Sequence, residues 1–347
     1  MPNHKAFRIA LTGDFYSADG TPKYADLGLN VLEQCVAVEY QAFAEHHPEL
    51  LPSQIGAANS VIVLTPRVTA QSVSEANDLL AIGRFGVGYD TVDVAACTAA
   101  DVVVFITAGA VDRSVAEATV GWMLALTHHV RSKDRLVREG GWDERSQWMG
   151  SELRDRTFGT IGLGGIARAT IGLLSVFGMN RPLVYDPYID PSLGNKLDGK
   201  IVDLDRLLAE SDFVSIHCPL TEETRGLIGA EQLARMKPTA YLLNTARGGI
   251  VDEDALFDVL KRCRIAGAAI DCFVDEPTTE SNRFAELDNV LLAPHSIAWT
   301  NELFRDIGCA VCQGMVDLAE GRQPHGVVNP EVFERKTFQE KWARLRV

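Results

Sequence analysis

At 347 residues the chain exceeds one typical compact core, so two domains are expected. Hydrophobic residues at 46% and charged residues at 23% describe an ordinary globular composition. The formal charge of −14 argues against a basic nucleic-acid face, yet leaves room for a single arginine that holds an anionic substrate.

Met1-Pro2-Asn3-His4-Lys5 lacks the apolar core of a secretory signal, and the apolar runs stop well short of the ~20 residues that span a bilayer. A cytoplasmic location with no membrane partner is expected. In the first ~110 residues, β-branched runs at Phe7–Leu11, Val36–Tyr40, Val61–Thr65, Leu80–Ile82 and Val102–Ile106 alternate with helix-like stretches. The strongly apolar segment Val115–Val130 has helical length and suits burial between domains or subunits. Arg131–Asp155 is rich in charge, Gly and Trp and reads as an exposed connecting arm. The strand rhythm restarts at Thr157–Gly162 and continues through Leu183–Tyr185, Phe213–Ile216, Tyr241–Leu243, Ile265–Ile270 and Val290–Leu292. Continuous apolar strands separated by helices predict parallel sheets covered on both faces, hence two doubly wound α/β units. Leu303, Ile307, Val311, Met315 and Leu318 predict a further helix. Cys309 and Cys312 lie in that pattern as small core residues, and the seven scattered cysteines read as reduced thiols with no metal or redox centre. About 18 residues follow Asn329, too few for a further regulatory domain.

The sharpest local signal is Phe158-Gly159-Thr160-Ile161-Gly162-Leu163-Gly164-Gly165-Ile166-Ala167, a glycine-rich turn between a strand and a helix. Gly162 permits the tight turn, Gly164 lets backbone approach a pyrophosphate, and Ala167 lets helix pack on strand. The amides of Gly165 and Ile166 open the helix whose N-terminus faces the phosphates. The next strand ends on Asp186, about 20 residues on, where an acid accepts bonds from the ribose hydroxyls of NAD and repels the 2′-phosphate of NADP. Asp186 before Pro187 equally fits a turn cap. Turn and acid together predict dinucleotide binding, with NAD as the cofactor.

Three segments then follow strand-like runs, where ligands gather in such sheets. Leu243-Asn244-Thr245-Ala246-Arg247-Gly248-Gly249 offers an arginine fork able to take a carboxylate in bidentate fashion. Ile270-Asp271-Cys272-Phe273-Val274-Asp275-Glu276-Pro277 and Leu292-Ala293-Pro294-His295-Ser296-Ile297-Ala298-Trp299 offer acids and an imidazole. Each has a bland alternative as a surface cation, a solvated turn or a loop histidine; their common placement favours a catalytic set.

The ordered stretches GRFGVGYDTVDV (83–94), VAEATVGWMLAL (115–126), FGTIGLGGIARA (158–169), SDFVSIHCPLTEETRGLI (211–228), LLNTARGGIVDEDAL (242–256), AGAAIDCFVDEP (266–277) and LLAPHSIAWT (291–300) resemble the D-isomer-specific 2-hydroxyacid dehydrogenases. The resemblance runs from about Val61 to Asn329. It implies a flavodoxin-like substrate domain from 1–108 plus 302–347, an NAD domain at 109–301, an active-site cleft between them, and a homodimer. Arg247 would bind the substrate carboxylate and polarise the 2-oxo group, His295 would be the acid/base and Glu276 would hold its imidazole. A ketone reduced by hydride becomes an alkoxide that needs a proton and nearby positive charge, which agrees with that set. Asp271 would contact the nicotinamide, while His217, Pro219, Thr224, Thr245, Ala246 and Ala298 would line the cofactor site. The backbone of Gly86, Val87 and Gly88 would meet the substrate carboxylate together with Arg247 and His295. Ala167 and Ala298 depart from commoner glycines but remain small.

The expected function is NAD-dependent interconversion of a small 2-hydroxy acid and its 2-oxo acid. Glyoxylate, hydroxypyruvate, phosphohydroxypyruvate, longer sugar-derived acids and branched-chain acids all remain open as substrates. Trp299 after His295 is shared with the hydroxypyruvate and glyoxylate reductases, and Glu276, standing where formate dehydrogenases carry an amide, disfavours the formate dehydrogenases. The alternative is an NAD-sensing, non-catalytic interaction protein of the same fold.

Overall fold

The computed structural model of the chain describes residues 6–190, 199–278 and 280–347. They divide into two compact units, Met1–Val111 with Trp299–Val347, and Asp112–Ala298.

Five parallel strands build the first unit: β1 (Phe7–Leu11), β2 (Val38–Ala42), β3 (Ser60–Val63), β4 (Ala81–Arg84) and β5 (Val103–Ile106), in the order β2-β1-β3-β4-β5. In register, Ile9 of β1 faces Tyr40 on one side and Ser60 on the other. All four residues of β3 are buried, as a strand covered on both faces requires. Val61, Val63, Ile82 and Val104 pack with Cys97 of the helix Val94–Ala99 on one face. Over β4 lies the helix Asn301–Ala319, whose Met315 and Val311 fill the space a Cβ on Gly83 would take. Its buried stripe of Leu303, Ile307, Val311, Met315 and Leu318, at roughly 1.5–3 kcal/mol per side chain, anchors the C-terminal segment to this sheet.

Seven parallel strands build the second unit: β6 (Phe158–Ile161), β7 (Leu183–Tyr185), β8 (Lys200–Ile201), β9 (Phe213–Ile216), β10 (Tyr241–Asn244), β11 (Gly267–Ile270) and β12 (Val290–Leu292). Their order is β12-β11-β10-β9-β6-β7-β8, so the chain reverses its direction of winding between β6 and β9. Helices Asp112–Thr127 and Gly165–Leu174 cover one face through Val120, Met123, Ala167 and Ile171. Helices Leu204–Glu210, Ala230–Arg235 and Glu253–Lys261 cover the other through Leu207, Leu233, Leu256 and Leu260. Such a reversal opens a crevice at the carboxyl ends of the two strands, where ligands bind in sheets of this kind.

Three local expectations change. The apolar helix spans Asp112–Thr127, not 115–130, because His129 turns left-handed at φ +51 and ends it. Arg131–Asp155 is largely exposed, and much of it is regular: Val130–Glu139 is α-helical and Trp142–Trp148 is 3-10. Ion pairs such as Arg138–Asp134 supply local support that its charge-rich composition conceals. β8 was unexpected, being only two residues at an open edge with little apolar pattern. Among the described residues, no helix is long and apolar enough to cross a membrane.

Candidate active site

The glycine turn leaves the C-terminal end of β6 at the point where the sheet order reverses. Gly162 has φ +93 and donates its N–H to Tyr185 O at 2.8 Å; a Cβ there would stand 2.8 Å from His217 O. Both conformation and space demand glycine. Gly164 differs: among the described residues nothing lies within 4 Å of the Cβ it lacks, so its open side is available to a ligand. Gly165, which with Ile166 begins the helix, makes room for something else, because its Cβ would fall 1.8 Å from the Asp112 carboxylate. Burial raises the pKa of that half-buried Asp112. Ala167 is fully buried against the helix Asp112–Thr127.

Asp186 follows β7 directly and clamps the turn from outside. Its Oδ2 accepts from Leu163 N at 2.9 Å and its Oδ1 from Tyr188 N at 3.0 Å. The acid that the sequence offered to a ribose makes the turn-capping bonds that were its alternative reading. His217, after β9, shares a 2.8 Å hydrogen bond between Nε2 and Ser215 Oγ, and burial pushes its pKa down to about 4. Pro219 and Thr224 close one bend, with Thr224 Oγ1 donating to Pro219 O at 2.7 Å. Among the described residues, Thr245 Oγ1 is buried with no hydrogen-bond partner. An orphaned hydroxyl, an open glycine and a capped acid along one edge fit a polar dinucleotide.

The chemistry-bearing loops follow β10, β11 and β12. Asn244 is buried; its Oδ1 accepts from Ala246 N at 3.1 Å and its Nδ2 donates to Arg247 O at 2.9 Å, fixing the bend that carries Thr245, Ala246 and Arg247. Arg247 donates to Ala246 O at 2.6 Å, which orients its guanidinium. Gly248 serves less to free that side chain than to let the bend touch the next loop, since its Cβ would fall 1.9 Å from Phe273 O. Asp271 accepts from Ser296 N at 2.9 Å and Ile297 N at 3.2 Å through one oxygen, anchoring the histidine loop. Burial raises the Asp271 pKa against those amides and the charge of His295.

His295 takes a left-handed φ of +52, donates its amide to Asp271 O at 2.8 Å, and sets Nδ1 2.7 Å from Glu276 Oε2. The other Glu276 oxygen accepts from Phe273 N at 2.8 Å. Burial works against the charge on Glu276, but the bonds from His295 and Phe273 and the charges of His295 and Arg247 outweigh it and lower its pKa. An ionised Glu276 is an acceptor only, so Nδ1 carries the proton in this pair. The side-chain roles of Asn244 and Asp112 had no sequence signal, because each acts through a fold contact. Cys272 has no separate role in the sequence, where it is one of seven cysteines read as reduced thiols.

In the first unit, Gly86, Val87 and Gly88 form the bend after β4. Gly86 has φ +138 and accepts from Thr107 N at 3.0 Å. Ala298, buried, closes the second unit.

The reversed parallel sheet and its glycine turn define a dinucleotide-binding α/β protein. Residues 120–296 match the D-isomer specific 2-hydroxyacid dehydrogenase, NAD binding domain. A D-3-phosphoglycerate dehydrogenase of Archaeoglobus fulgidus is 38% identical over 273 residues, 79% of this chain and 51% of that one. A glyoxylate reductase of Thermofilum pendens is 36% identical over 324 residues, covering 90% and 94%. The crystal structure of a glyoxylate reductase from Paecilomyes thermophila superposes with a TM-score of 0.79 at 26% identity, covering 95% and 99%. The chain spans about half the length of the phosphoglycerate dehydrogenase and nearly all of the glyoxylate reductase. It belongs to the D-isomer specific 2-hydroxyacid dehydrogenases, with an NAD-binding domain.

Proposed function

We propose that the protein interconverts a small 2-hydroxy acid and its 2-oxo acid with NAD, using Arg247, Glu276 and His295. The observation that carries this reading is the 2.7 Å His295–Glu276 pair, set in the same unit as the glycine turn. When bound, the dinucleotide supplies or accepts the hydride. Arg247 takes the substrate carboxylate through its planar fork and draws negative charge onto the 2-oxo oxygen. His295 gives that oxygen a proton from Nε2 in reduction and removes it in oxidation, while Glu276 fixes the Nδ1–H tautomer and stabilises the imidazolium. The amides of Gly86, Val87 and Gly88 serve the substrate carboxylate. Gly162, Gly164, Gly165, Ile166 and Asp186 serve the pyrophosphate and ribose; Asp271, His217, Pro219, Thr224, Thr245, Ala246 and Ala298 serve the rest of the cofactor.

Exposed Val137, Trp142 and Met149, in the segment that follows the helix Asp112–Thr127, support a homodimer, and seven free cysteines support a cytoplasmic location. Replacing His295 with Asn tests the mechanism. Turnover of NADH with 2-oxo acids of graded size should fall by about 10²–10⁴-fold, with NADH binding by fluorescence unchanged. Undiminished turnover in that variant would end the acid/base assignment. Absence of turnover in the wild type with every acid tried would favour the non-catalytic, NAD-sensing alternative.

A further inference from the structure

Cys272 follows the aspartate that anchors the histidine loop, and the proposed reaction gives it no part. Its side chain is buried, with the thiol donating to Ala246 O at 3.4 Å. The Cys272 sulfur, a Glu276 carboxylate oxygen and a His295 ring nitrogen lie within 4.8 Å of one another. All three stand on the loops after the adjacent strands β11 and β12. Their backbone is already fixed, by Phe273 N to Glu276 Oε1 and by His295 N to Asp271 O, both at 2.8 Å.

Donors about 2.0–2.3 Å from a tetrahedral zinc ion stand about 3.3–3.8 Å apart, so small rotations of the exposed glutamate and histidine bring this set into range. Thiolate, imidazole and carboxylate together suit a soft or borderline cation and disfavour magnesium and calcium, which take all-oxygen sites. We propose that Cys272, Glu276 and His295 form a binding site for a divalent cation of the zinc class, with its fourth position open to water. A bound cation occupies the imidazole and carboxylate that hold the proton, and so arrests the enzyme. That consequence rests on the acid/base reading of His295; the binding itself does not.

Chelator-treated protein titrated with Zn²⁺ by calorimetry, and with Co²⁺ by absorption, tests the site. One saturable site per chain is expected, with a thiolate-to-cobalt charge-transfer band and no heat from Mg²⁺. Cys272→Ala and His295→Asn should each weaken binding by at least about tenfold, and Cys272→Ser serves if the alanine variant fails to fold. Lack of saturable Zn²⁺ binding, a cobalt spectrum without the thiolate band, or full affinity in the folded Cys272 variants would overturn the proposal. Because calorimetry needs no turnover, a protein that binds Zn²⁺ but reduces no 2-oxo acid counts against the dehydrogenase reading alone.

Discussion

Gly162 and Gly164 stand two residues apart in the same turn, yet physics asks different things of them. A side chain at 162 meets two obstacles, a φ of +93 and the His217 carbonyl 2.8 Å from its Cβ. Gly162→Ala should therefore cost about 2–4 kcal/mol, the combined scale of a left-handed non-glycine residue and local overpacking. At 164 the φ is −72 and the space is open, so Gly164→Ala should change folding stability by no more than about 1 kcal/mol. Its expected defect lies in the ligand: NADH affinity should drop by about tenfold or more, because the methyl occupies the side a pyrophosphate approaches. Urea denaturation and fluorescence titration of both variants give the comparison. A Gly164→Ala protein that binds NADH normally would move the phosphate site elsewhere.

Elements explain why these residues meet. The strands of the second unit end together, so residues from Gly162 to His295 reach one edge although they lie more than a hundred positions apart. The apolar runs were readable because β9, β10 and β11 are buried on both faces, which leaves no polar alternation to blur them. The loop residues were readable where backbone geometry selects one amino acid, as at Gly162. What escaped were contacts created by the fold. Asp112 meets Gly165 only because two helices pack together, and Asn244 reads as an ordinary strand end until its two hydrogen bonds to the next bend are seen. β8 escaped for want of length. The Asn244 bonds have a measurable consequence. Asn244→Ala leaves the Ala246 amide and Arg247 carbonyl without those partners, at about 1–3 kcal/mol, and lets the arginine bend drift. The KM for a 2-oxo acid should rise severalfold while NADH affinity changes less. An unaltered KM would detach Asn244 from the positioning of Arg247.

For the whole molecule, the last helix, Lys336–Leu345, offers a pH-linked test of how the C-terminal segment holds to the first unit. Lys341 from this helix donates to Leu79 O at 2.8 Å and Ala100 O at 3.2 Å, placing an ammonium group among backbone carbonyls at the sheet's edge. Burial, aided by Arg344 and resisted by Asp101 and Asp78, lowers its pKa from 10.5 to about 8. Below pH 8 the lysine is charged in both folded and unfolded chains, and folding bears the full cost of burying that charge. Between pH 8 and 10.5 the folded chain releases the proton while the unfolded chain keeps it, so the unfolded state binds more protons and stability rises with pH. Other groups act in the opposite sense over the same range: burial pushes the Cys97 and Cys312 thiols up to about 12, and those favour the folded state less as pH climbs. A comparison with Lys341→Met removes them, because they are common to both proteins. The wild type should gain on the variant between pH 8 and 10.5, by up to about 3 kcal/mol, in urea unfolding followed at both ends of that window. A stability difference that stays flat across the window would mean that Lys341 remains hydrated and charged in the folded protein. The C-terminal helix would then be held chiefly by its apolar contacts, buried Phe338 and Leu345 foremost.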